Sequence, residues 1–380
     1  MSLTVTAADA AQLLSLVPSL LGFRPTQSIV LVPLAQGRSL GAMRLDLPPD
    51  DLVDTVAASA IGMVCRIAEA DAVVAIVYTD AAISPEAAAP ALPHATLTDA
   101  VIARADASGL RVLDALTVAR DGWGSHLDPD LPAIGRPLDQ LHVRDEHARA
   151  LDADGRTDPP SGDQVSGAAL PRVEQAARRA VAQALRSLES SLETICGIPS
   201  TTRMTPRIDP AALEAACALD DLPALYEDAL AWHPSAEPMH TAMIGWCFSR
   251  PALRDVALVQ WASDEVGGDV AMEAQRRWED GAEYPAELAS VMWGEGPRPE
   301  VDRLQRALAV TREVAALLPK RHRPGALAMC AWLSWALGRS SHADRYAQMA
   351  LHLDPKHGLA DIVRSFARAG HLPDWAFRVR

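Results

Sequence analysis

The sequence predicts an α/β + α protein, in which an N-terminal domain built on a mixed β-sheet is followed by an all-helical domain. Three observations carry this prediction. Strand-like and helix-like runs alternate over the first 120 residues, helical periodicity dominates after residue 209, and eight of the nine tryptophans lie in that second part. Because a single hydrophobic core rarely serves 380 residues, the length also favours two domains.

Two apolar runs near the N-terminus predict a β-hairpin. Residues 28–34 (SIVLVPL) and 40–47 (LGAMRLDL) flank a turn that contains Gln36 and Gly37. Pro33 has no amide hydrogen, so it places the first run at a sheet edge or at a bulge. The sheet is therefore expected to begin with an antiparallel pair of strands.

The elements that follow predict helices packed on this sheet. A helix is expected from about Asp51 to Glu69, and a second one from Ala95 to Ser108. The continuous apolar run from Asp71 to Asp80 predicts a central strand that is buried on both faces, and another strand is expected from Leu110 to Ala119. A hairpin followed by helix, strand, helix and strand is typical of a mixed sheet.

The domains are predicted at residues 1–150 and 171–380, with a flexible linker or loop between them at residues 151–170. Residues 152–167 of that segment are acidic and rich in Gly, Pro and Ser, as irregular connections commonly are. A long helix is expected from Pro171 to Cys196, with apolar side chains at steps of three and four. This stripe predicts core packing, or a helix–helix interface with another protein.

The clearest helix pair lies near the C-terminus, at residues 324–355. Residues 326–338 (ALAMCAWLSWALG) and 342–355 (HADRYAQMALHLDP) are joined by a short polar turn, and Pro355 ends the second helix. Small and aromatic side chains share one face, so the pair looks like one tetratricopeptide repeat. A helical hairpin that closes an ordinary α domain is the alternative, because only one full unit is visible.

Short segments along nearly the whole chain resemble one protein family. They are residues 13–32 (LLSLVPSLLGFRPTQSIVLV), 44–48 (RLDLP), 75–80 (AIVYTD), 121–125 (DGWGS), 254–255 (RD) and 324–360. They are similar to signatures of the family called domain of unknown function 4192, which is typical of high-GC Gram-positive bacteria. The resemblance implies a single two-part unit and brings no activity with it.

The charge balance argues against a general nucleic-acid binder. With 35 basic and 49 acidic residues, the chain carries a formal net charge of −14, whereas affinity for a phosphate backbone needs clustered basic side chains. The densest basic run extends from Lys320 to Arg323, where we expect a solvated turn between two helices rather than a phosphate site. We therefore expect a protein or peptide as the partner, with a small molecule as a second possibility, and we expect no binding of nucleic acid. The sequence leaves the oligomeric state open.

The cysteines and the missing motifs limit the chemistry. Five scattered cysteines without a C-x-x-C pair predict neither disulfides nor a zinc site. His142 and His147 are five residues apart, which suits a metal-binding helix poorly, so we expect no metal. The sequence has no dinucleotide, P-loop or serine-hydrolase motif, so we expect no cofactor and favour a non-enzymatic role.

The location and the membrane relationship follow from the N-terminal segment. Residues 10–23 are apolar but too few to cross a membrane, and no basic residue precedes them. Pro18 and Gly22 interrupt the run, so we interpret it as a short buried helix. A cytoplasmic protein without a membrane partner is expected.

A polar cluster at the strand ends is the candidate ligand site. Arg44 and Asp46 alternate along one strand and so face the same side. Tyr78 and Asp80 end the predicted central strand, and ligands in open α/β sheets gather beyond the carboxyl ends of strands. With Trp123 these residues predict a small-molecule pocket; a surface salt bridge with strand-end caps is the alternative.

Five residues of the helical half are candidates for partner binding. The spacing of Arg250 and Arg254 suits an anion clamp, or else a helix start with an internal ion pair. Trp332, Trp335 and Tyr346 lie in the tetratricopeptide-like pair. We therefore favour a protein-interaction or scaffold module. The alternative is an enzyme or a small-ligand sensor that uses the strand-end pocket of the N-terminal domain.

Overall fold

The α/β + α fold class is confirmed in a computed structural model of the chain. The structure describes residues 10–84, 92–141, 162–196 and 209–378. The chain divides into two compact units, residues 1–167 with 379–380 and residues 168–378. The first unit contains the sheet, and the second is helical.

The first unit follows the predicted order of elements. They are α1 (Ala10–Leu21), β1 (Ser28–Ala35), β2 (Arg38–Ser39), β3 (Met43–Asp46), α2 (Val53–Cys65), β4 (Ala72–Tyr78), α3 (Ala95–Ala107), β5 (Arg111–Val118) and β6 (Trp123–Ser125). The second strand of the hairpin is divided into β2, which precedes the predicted residues 40–47, and β3, which lies within them. The first predicted helix is shorter than expected, because Asp50–Leu52 form a 3₁₀ turn before α2 begins.

The sheet is mixed, with the strand order β2-β1-β4-β5-β6 and with β3 also paired to β1. Strand β4 runs antiparallel to β1 and parallel to β5, and β6 runs antiparallel to β5. Gln36 and Gly37 form the hairpin turn with φ of 50° and 77°, the left-handed conformation that such two-residue turns require. The carbonyl of Pro33 accepts the amide of Leu40 at 2.9 Å, so the missing amide hydrogen faces the interruption between β2 and β3.

The two faces of the sheet pack against different helices. Val30, Val74 and Ile76 form a cluster with side chains of α1, whereas Ile29 and Val73 form a second cluster with side chains of α2 and α3. Successive residues of a strand point to opposite faces, so this division follows from the extended backbone. Strands β1 and β4 are buried on both faces, as the apolar run of β4 predicts.

Part of the predicted linker or loop is bonded to the first unit. The side-chain amide of Gln164 donates to the carbonyl of Thr26 at 2.7 Å, and its oxygen accepts the amide and hydroxyl of Thr26. Asp163 accepts the amides of Val165 and Ser166, which holds the turn in shape. Residues 162–167 therefore form a bound loop, while residues 151–161 lie outside the described residues.

The second unit consists, over its described residues, of antiparallel and crossing helices. They are α4 (Gln175–Ile195), α5 (Pro210–Ala218), α6 (Leu222–Ala229), α7 (Pro238–Phe248), α8 (Pro251–Ala262), α9 (Glu265–Glu279), α10 (Ala286–Met292), α11 (Val301–Leu317), α12 (Arg323–Ala336), α13 (Ser340–Leu353) and α14 (Gly358–Ala369). Helix α4 begins four residues later than expected from Pro171. The reason is that Leu170 and Val173 pack on the helical core before the helix starts.

Helix α12 is the centre of the second unit. Every residue from Gly325 to Ala336 is buried, and the helix contacts α7, α8, α11, α13 and α14. A helix that is buried on all sides needs apolar residues all round, which is what its sequence provides. A Cβ atom on Gly325 would lie 2.0 Å from the carbonyl oxygen of Phe248, so only glycine permits the close approach of α12 to α7.

Candidate functional site

Four of the five predicted ligand residues lie on the α1 face of the sheet. Ser28 is paired with Asp46 in β3 and with Tyr78 in β4, and Tyr78 is paired with Val118 in β5. Val118 is in turn paired with Trp123 in β6. Paired residues point to the same face, so these side chains form one row across the sheet, and Arg44 lies one step away opposite Val30.

Arg44 is held inside this row. Its Nε donates to the hydroxyl of Ser28 at 2.6 Å, and its guanidinium forms an ion pair with Asp46. Only 7% of the Arg44 side chain is exposed, against 84% for Asp46. The pairing expected from the strand alternation is therefore present, and it joins a buried guanidinium to a solvated carboxylate.

The remaining members of the predicted site have different roles. The Tyr78 hydroxyl is buried without a hydrogen-bond partner among the described residues, and burial raises the pKa of this phenol. Trp123 is 3% exposed, its indole nitrogen donates to the carbonyl of Pro137, and the Arg136 guanidinium covers its ring. Asp80 is exposed, and its amide donates to the side chain of Gln27. Tyr78 and Trp123 are thus buried in the row, whereas Asp80 is exposed.

A second polar group lies at the ends of β4 and β5 on the opposite face, next to the start of α3. We call it the threonine–histidine cluster: Thr79, His94, Thr98, Thr117 and His126. The Thr117 hydroxyl lies 2.9 Å from Nε2 of His126, and the Thr98 hydroxyl lies 3.4 Å from the same nitrogen. The Thr79 hydroxyl lies 3.1 Å from Nε2 of His94. All three threonines are buried.

Backbone geometry brings this cluster together. Thr79 directly follows β4, and Thr117 is the second-last residue of the parallel neighbour β5. His94 precedes α3 in the left-handed conformation, with φ of 61°, and its carbonyl accepts the Thr98 hydroxyl. The carboxyl ends of parallel strands are where α/β proteins place ligands. The residues predicted at the end of β4, Tyr78 and Asp80, are at even positions, whereas Thr79 between them faces the other way and was not predicted.

The electrostatics of the cluster keep an imidazole neutral. Burial lowers the pKa of His126, and the carboxylates of Asp99 and Asp114 oppose this effect in part. A neutral imidazole has one nitrogen that accepts and one that donates a hydrogen bond, so His126 can hydrogen-bond to a polar group in either role.

Three of the predicted partner-binding residues belong to the core of the second unit. Trp332 and Trp335 are fully buried and Tyr346 is 1% exposed, so no partner protein reaches them. The Trp332 indole donates to the carbonyl of Met292 at 3.1 Å, and the Trp335 indole donates to that of His371 at 2.7 Å. Their prediction as a binding surface is wrong, because α12 is covered on all sides by other helices.

The two arginines at the start of α8 point to different partners. Arg254 is 6% exposed and pairs with Asp255 at 2.8 Å, which is the internal ion pair that the sequence offered as the alternative. The Arg250 guanidinium instead stacks 3.4 Å from the ring centroid of Trp246 and donates to its carbonyl. The two side chains therefore do not form an anion clamp.

Arg250 belongs to a group of cations that we call the basic surface. Its members are Arg178, Arg250, Arg321, His322 and Arg323. The Glu189 carboxylate lies 3.8 Å from both Arg321 and His322. Arg178 and Arg323 both donate to the carbonyl of Ala316. Burial lowers the pKa of Arg250, and burial together with Arg178 lowers that of Arg323.

The basic surface corrects one expectation. The run Lys320–Arg323 was expected to be a solvated turn, and Lys320–His322 do form a 3₁₀ turn with exposed Lys320 and Arg321. The side chain of His322, however, is only 15% exposed, and Arg323 is bonded to the end of α11 through the carbonyl of Leu318. Residues 320–323 are therefore held against the neighbouring helices, and three of them form part of the basic surface.

The described ranges contain neither a candidate metal site nor a candidate membrane-spanning helix. Within them, no group of three or more His, Cys, Asp or Glu side chains is placed to hold a metal ion. None of the helices there is both long and apolar enough to cross a membrane.

The fold and these sites define a two-unit protein with a mixed sheet and a helical second unit. The chain belongs to the family described as Domain of unknown function (DUF4192), whose family model matches residues 11–374. The match spans both units, so the two-part organisation belongs to the family domain. No curated protein and no solved structure matches the chain.

Proposed function

We propose that the protein is an interaction module whose helical unit binds an acidic segment of a partner protein through the basic surface. The observation that carries this proposal is the charge of that surface. Arg178 of α4 and Arg250 at the start of α8 lie near the residues that lead into α12, Arg321 and Arg323. The Glu189 carboxylate is close to Arg250 and Arg321. A local excess of positive charge attracts a negatively charged partner and fixes its orientation.

The whole-chain charge favours a short acidic segment over a nucleic acid. A net charge of −14 repels an extended polyanion, whereas a short segment interacts mainly with the local cations. Arg250 is also stacked on Trp246, so its guanidinium is held in place before the partner binds. A pre-organised cation loses less conformational entropy on binding than a free one.

The arrangement of the last three helices supports a tetratricopeptide-like scaffold as part of the proposal. Helices α12, α13 and α14 follow one another with short connections, and α14 contacts both preceding helices. Consecutive helices of repeat proteins stack in the same manner. A cytoplasmic location also belongs to the proposal. All five cysteines are free thiols, which suits a reducing compartment.

Charge reversal on the basic surface tests this function. A fluorescein-labelled glutamate decapeptide is titrated with the full chain, and fluorescence polarisation is measured at low and at moderate salt. The variant Arg178→Glu, Arg321→Glu changes two exposed side chains and is expected to weaken binding at least tenfold. The control Arg276→Glu, Arg277→Glu makes the same charge change on the exposed face of α9 and is expected to weaken it much less.

Three results would contradict the proposal. They are a lack of binding to the decapeptide, an equal loss in the two variants, and binding that does not weaken as salt rises. Tighter binding of a single-stranded oligonucleotide of equal charge would overturn the assignment of a protein partner.

A second candidate function rests on the threonine–histidine cluster. His126 is held by two threonine hydroxyls at the carboxyl ends of parallel strands, beside the start of α3. This arrangement supports binding of a small polar molecule that hydrogen-bonds to a neutral imidazole. A sensor or an enzyme can be built on such a site.

A thermal-shift screen of nucleotides and polar metabolites with the full chain tests this second function. We expect at least one compound to raise the melting temperature, and we expect Thr98→Val to abolish that rise. Thr96→Val, on the exposed side of the first turn of α3, is the matched control and should retain it. The second function fails if no compound stabilises the chain, or if both variants respond like the unaltered protein.

A further inference from the structure

Two neighbouring members of the basic surface are bonded to each other in a way that defines their protonation state. Nε of Arg321 donates a hydrogen bond to Nε2 of His322 at 2.7 Å. A guanidinium has only donors and stays charged, so Nε2 of His322 is the acceptor and carries no proton. The imidazole is therefore neutral in this structure, with its proton on Nδ1.

The surroundings of His322 favour this neutral state. Its side chain is only 15% exposed. Burial lowers the pKa of His322, the Glu189 carboxylate opposes this effect, and Arg321 and Arg250 lower the pKa further. The charged groups around the imidazole are Glu189 of α4, Arg250 ahead of α8, Arg321 on the same turn, and Lys320 and Arg323, which flank that pair in the sequence. Cations dominate this set, so more negative charge is needed before the imidazole binds a second proton readily.

The Glu189 carboxylate is too distant to bind either side chain by a hydrogen bond. One of its oxygens lies 3.8 Å from Nε2 of His322, and the other lies 3.8 Å from a terminal nitrogen of Arg321. Hydrogen bonds from a cationic nitrogen to a carboxylate are about 2.7–2.9 Å long, so these two contacts are only electrostatic. A second carboxylate can therefore come closer to Arg321 and His322 than Glu189 does.

We propose that the basic surface takes up a proton at His322 when it binds its acidic segment, so that binding strengthens as the pH falls. The proton comes from the solvent and adds to Nε2, which changes from an acceptor to a donor. Two N–H groups cannot share one hydrogen bond, so Arg321 is released, and both side chains can then donate to the carboxylates of the partner. This inference rests on the proposed function and adds the regulation of the same site.

The direction of the pH dependence follows from linkage between proton binding and partner binding. Carboxylates of the partner favour the imidazolium, so the pKa of His322 is higher in the complex than in the free chain. Affinity therefore rises as the pH falls through the pKa of the complex, and the rise is complete below the pKa of the free chain. Glutamate side chains, with an ordinary pKa of about 4.3, stay ionised between about pH 8 and about pH 6 and so do not cause this change.

Calorimetric titration of the full chain with the unlabelled glutamate decapeptide, at constant moderate salt, measures this effect. We expect the affinity to rise about fivefold between about pH 8 and about pH 6, which corresponds to a mean uptake of about a third of a proton. Titrations in two buffers of different ionisation enthalpy measure that uptake directly on the unaltered chain.

Three substitutions assign the proton to one imidazole. His322→Gln cannot take up a proton, and its affinity is expected to change less than about twofold over the same range. His322→Arg carries the charge at every pH, so it should bind without proton uptake and about as tightly at pH 8 as the unaltered chain does at pH 6. It also keeps the test valid if His322→Gln fails to fold. His352→Gln, at an exposed position of α13, is the matched control and should keep the full pH dependence.

Binding with the same affinity at every pH and without proton uptake would overturn this inference and leave the proposed function standing. Persistence of the pH dependence in His322→Gln or in His322→Arg would also overturn it, as would an equal loss in His352→Gln. A lack of binding at every pH would instead contradict the proposed function, and this inference with it.

Discussion

Replacement of Trp335 by alanine is expected to lower the free energy of unfolding of the chain by about 3–5 kcal/mol, the usual cost of removing a buried aromatic side chain. The Trp335 ring is fully buried and lies 4.9 Å from that of Phe366 and 6.4 Å from that of Trp375 between ring centroids. Its indole also donates to the carbonyl of His371. Alanine therefore leaves a cavity and an unsatisfied buried carbonyl together.

Thermal unfolding followed by circular dichroism at 222 nm measures this loss without relying on tryptophan emission. For a unit of this size, the expected change corresponds to a fall of about 10 °C in the melting temperature. Trp278→Ala is the matched control, because the Trp278 side chain is 54% exposed on α9. We expect that control to change the melting temperature by about 1 °C or less. Equal effects of the two substitutions would show that Trp335 does not pack the core.

Local periodicity was sufficient to predict most elements of the first unit. The apolar, β-branched run of residues 28–34 and the unbroken apolar run of β4 depend only on neighbouring residues and on burial. The division of the hairpin's second strand and the late start of α4 were not predictable in this way. Each depends on a contact with a distant segment, namely the interruption opposite Pro33 and the packing of Leu170 on the helical core.

Local sequence patterns likewise predicted only part of the candidate sites. The Arg44–Asp46 pair follows from strand alternation alone, and the structure contains it. The threonine–histidine cluster depends on the parallel register of β4 and β5, which shifts between Val73 and Val74, and no local pattern encodes that shift. Trp332 and Trp335 mark a helix face in the sequence, but the sequence does not show that α7 and α8 cover the rest of α12.

Breaking the ion pair between Glu227 and Arg303 is expected to produce the second large decrease in the free energy of unfolding. Arg303 donates to both oxygens of the Glu227 carboxylate, one of them at 2.6 Å, and Gln260 donates to the same carboxylate at 3.1 Å. Side chains of Arg303 and Glu227 are 10% and 32% exposed. Removing one partner of a mostly buried pair leaves the other charge unpaired, so Glu227→Gln is expected to cost about 3 kcal/mol at pH 7.

The pH dependence of stability identifies the origin of this effect. Hydrogen bonds from Arg303 lower the pKa of Glu227, and burial opposes them in part. A carboxyl with a lowered pKa in the folded state contributes stability above its unfolded value, and that contribution is lost as the pH falls through the folded value. The chain should therefore lose stability as the pH falls below about 4.5, and Glu227→Gln should lose less over that range.

Urea unfolding at pH 7 and at several acid values, followed by circular dichroism, measures both parts of this prediction. Glu273→Gln is the matched control, since it removes the same charge from an exposed ion pair with Arg277, and it is expected to cost at most about 0.5 kcal/mol. A difference between the two variants at pH 7 that persists unchanged at acid pH would assign the cost to packing. A difference that shrinks as Glu227 becomes protonated assigns it to the charge, because protonation of the unaltered chain then mimics the substitution.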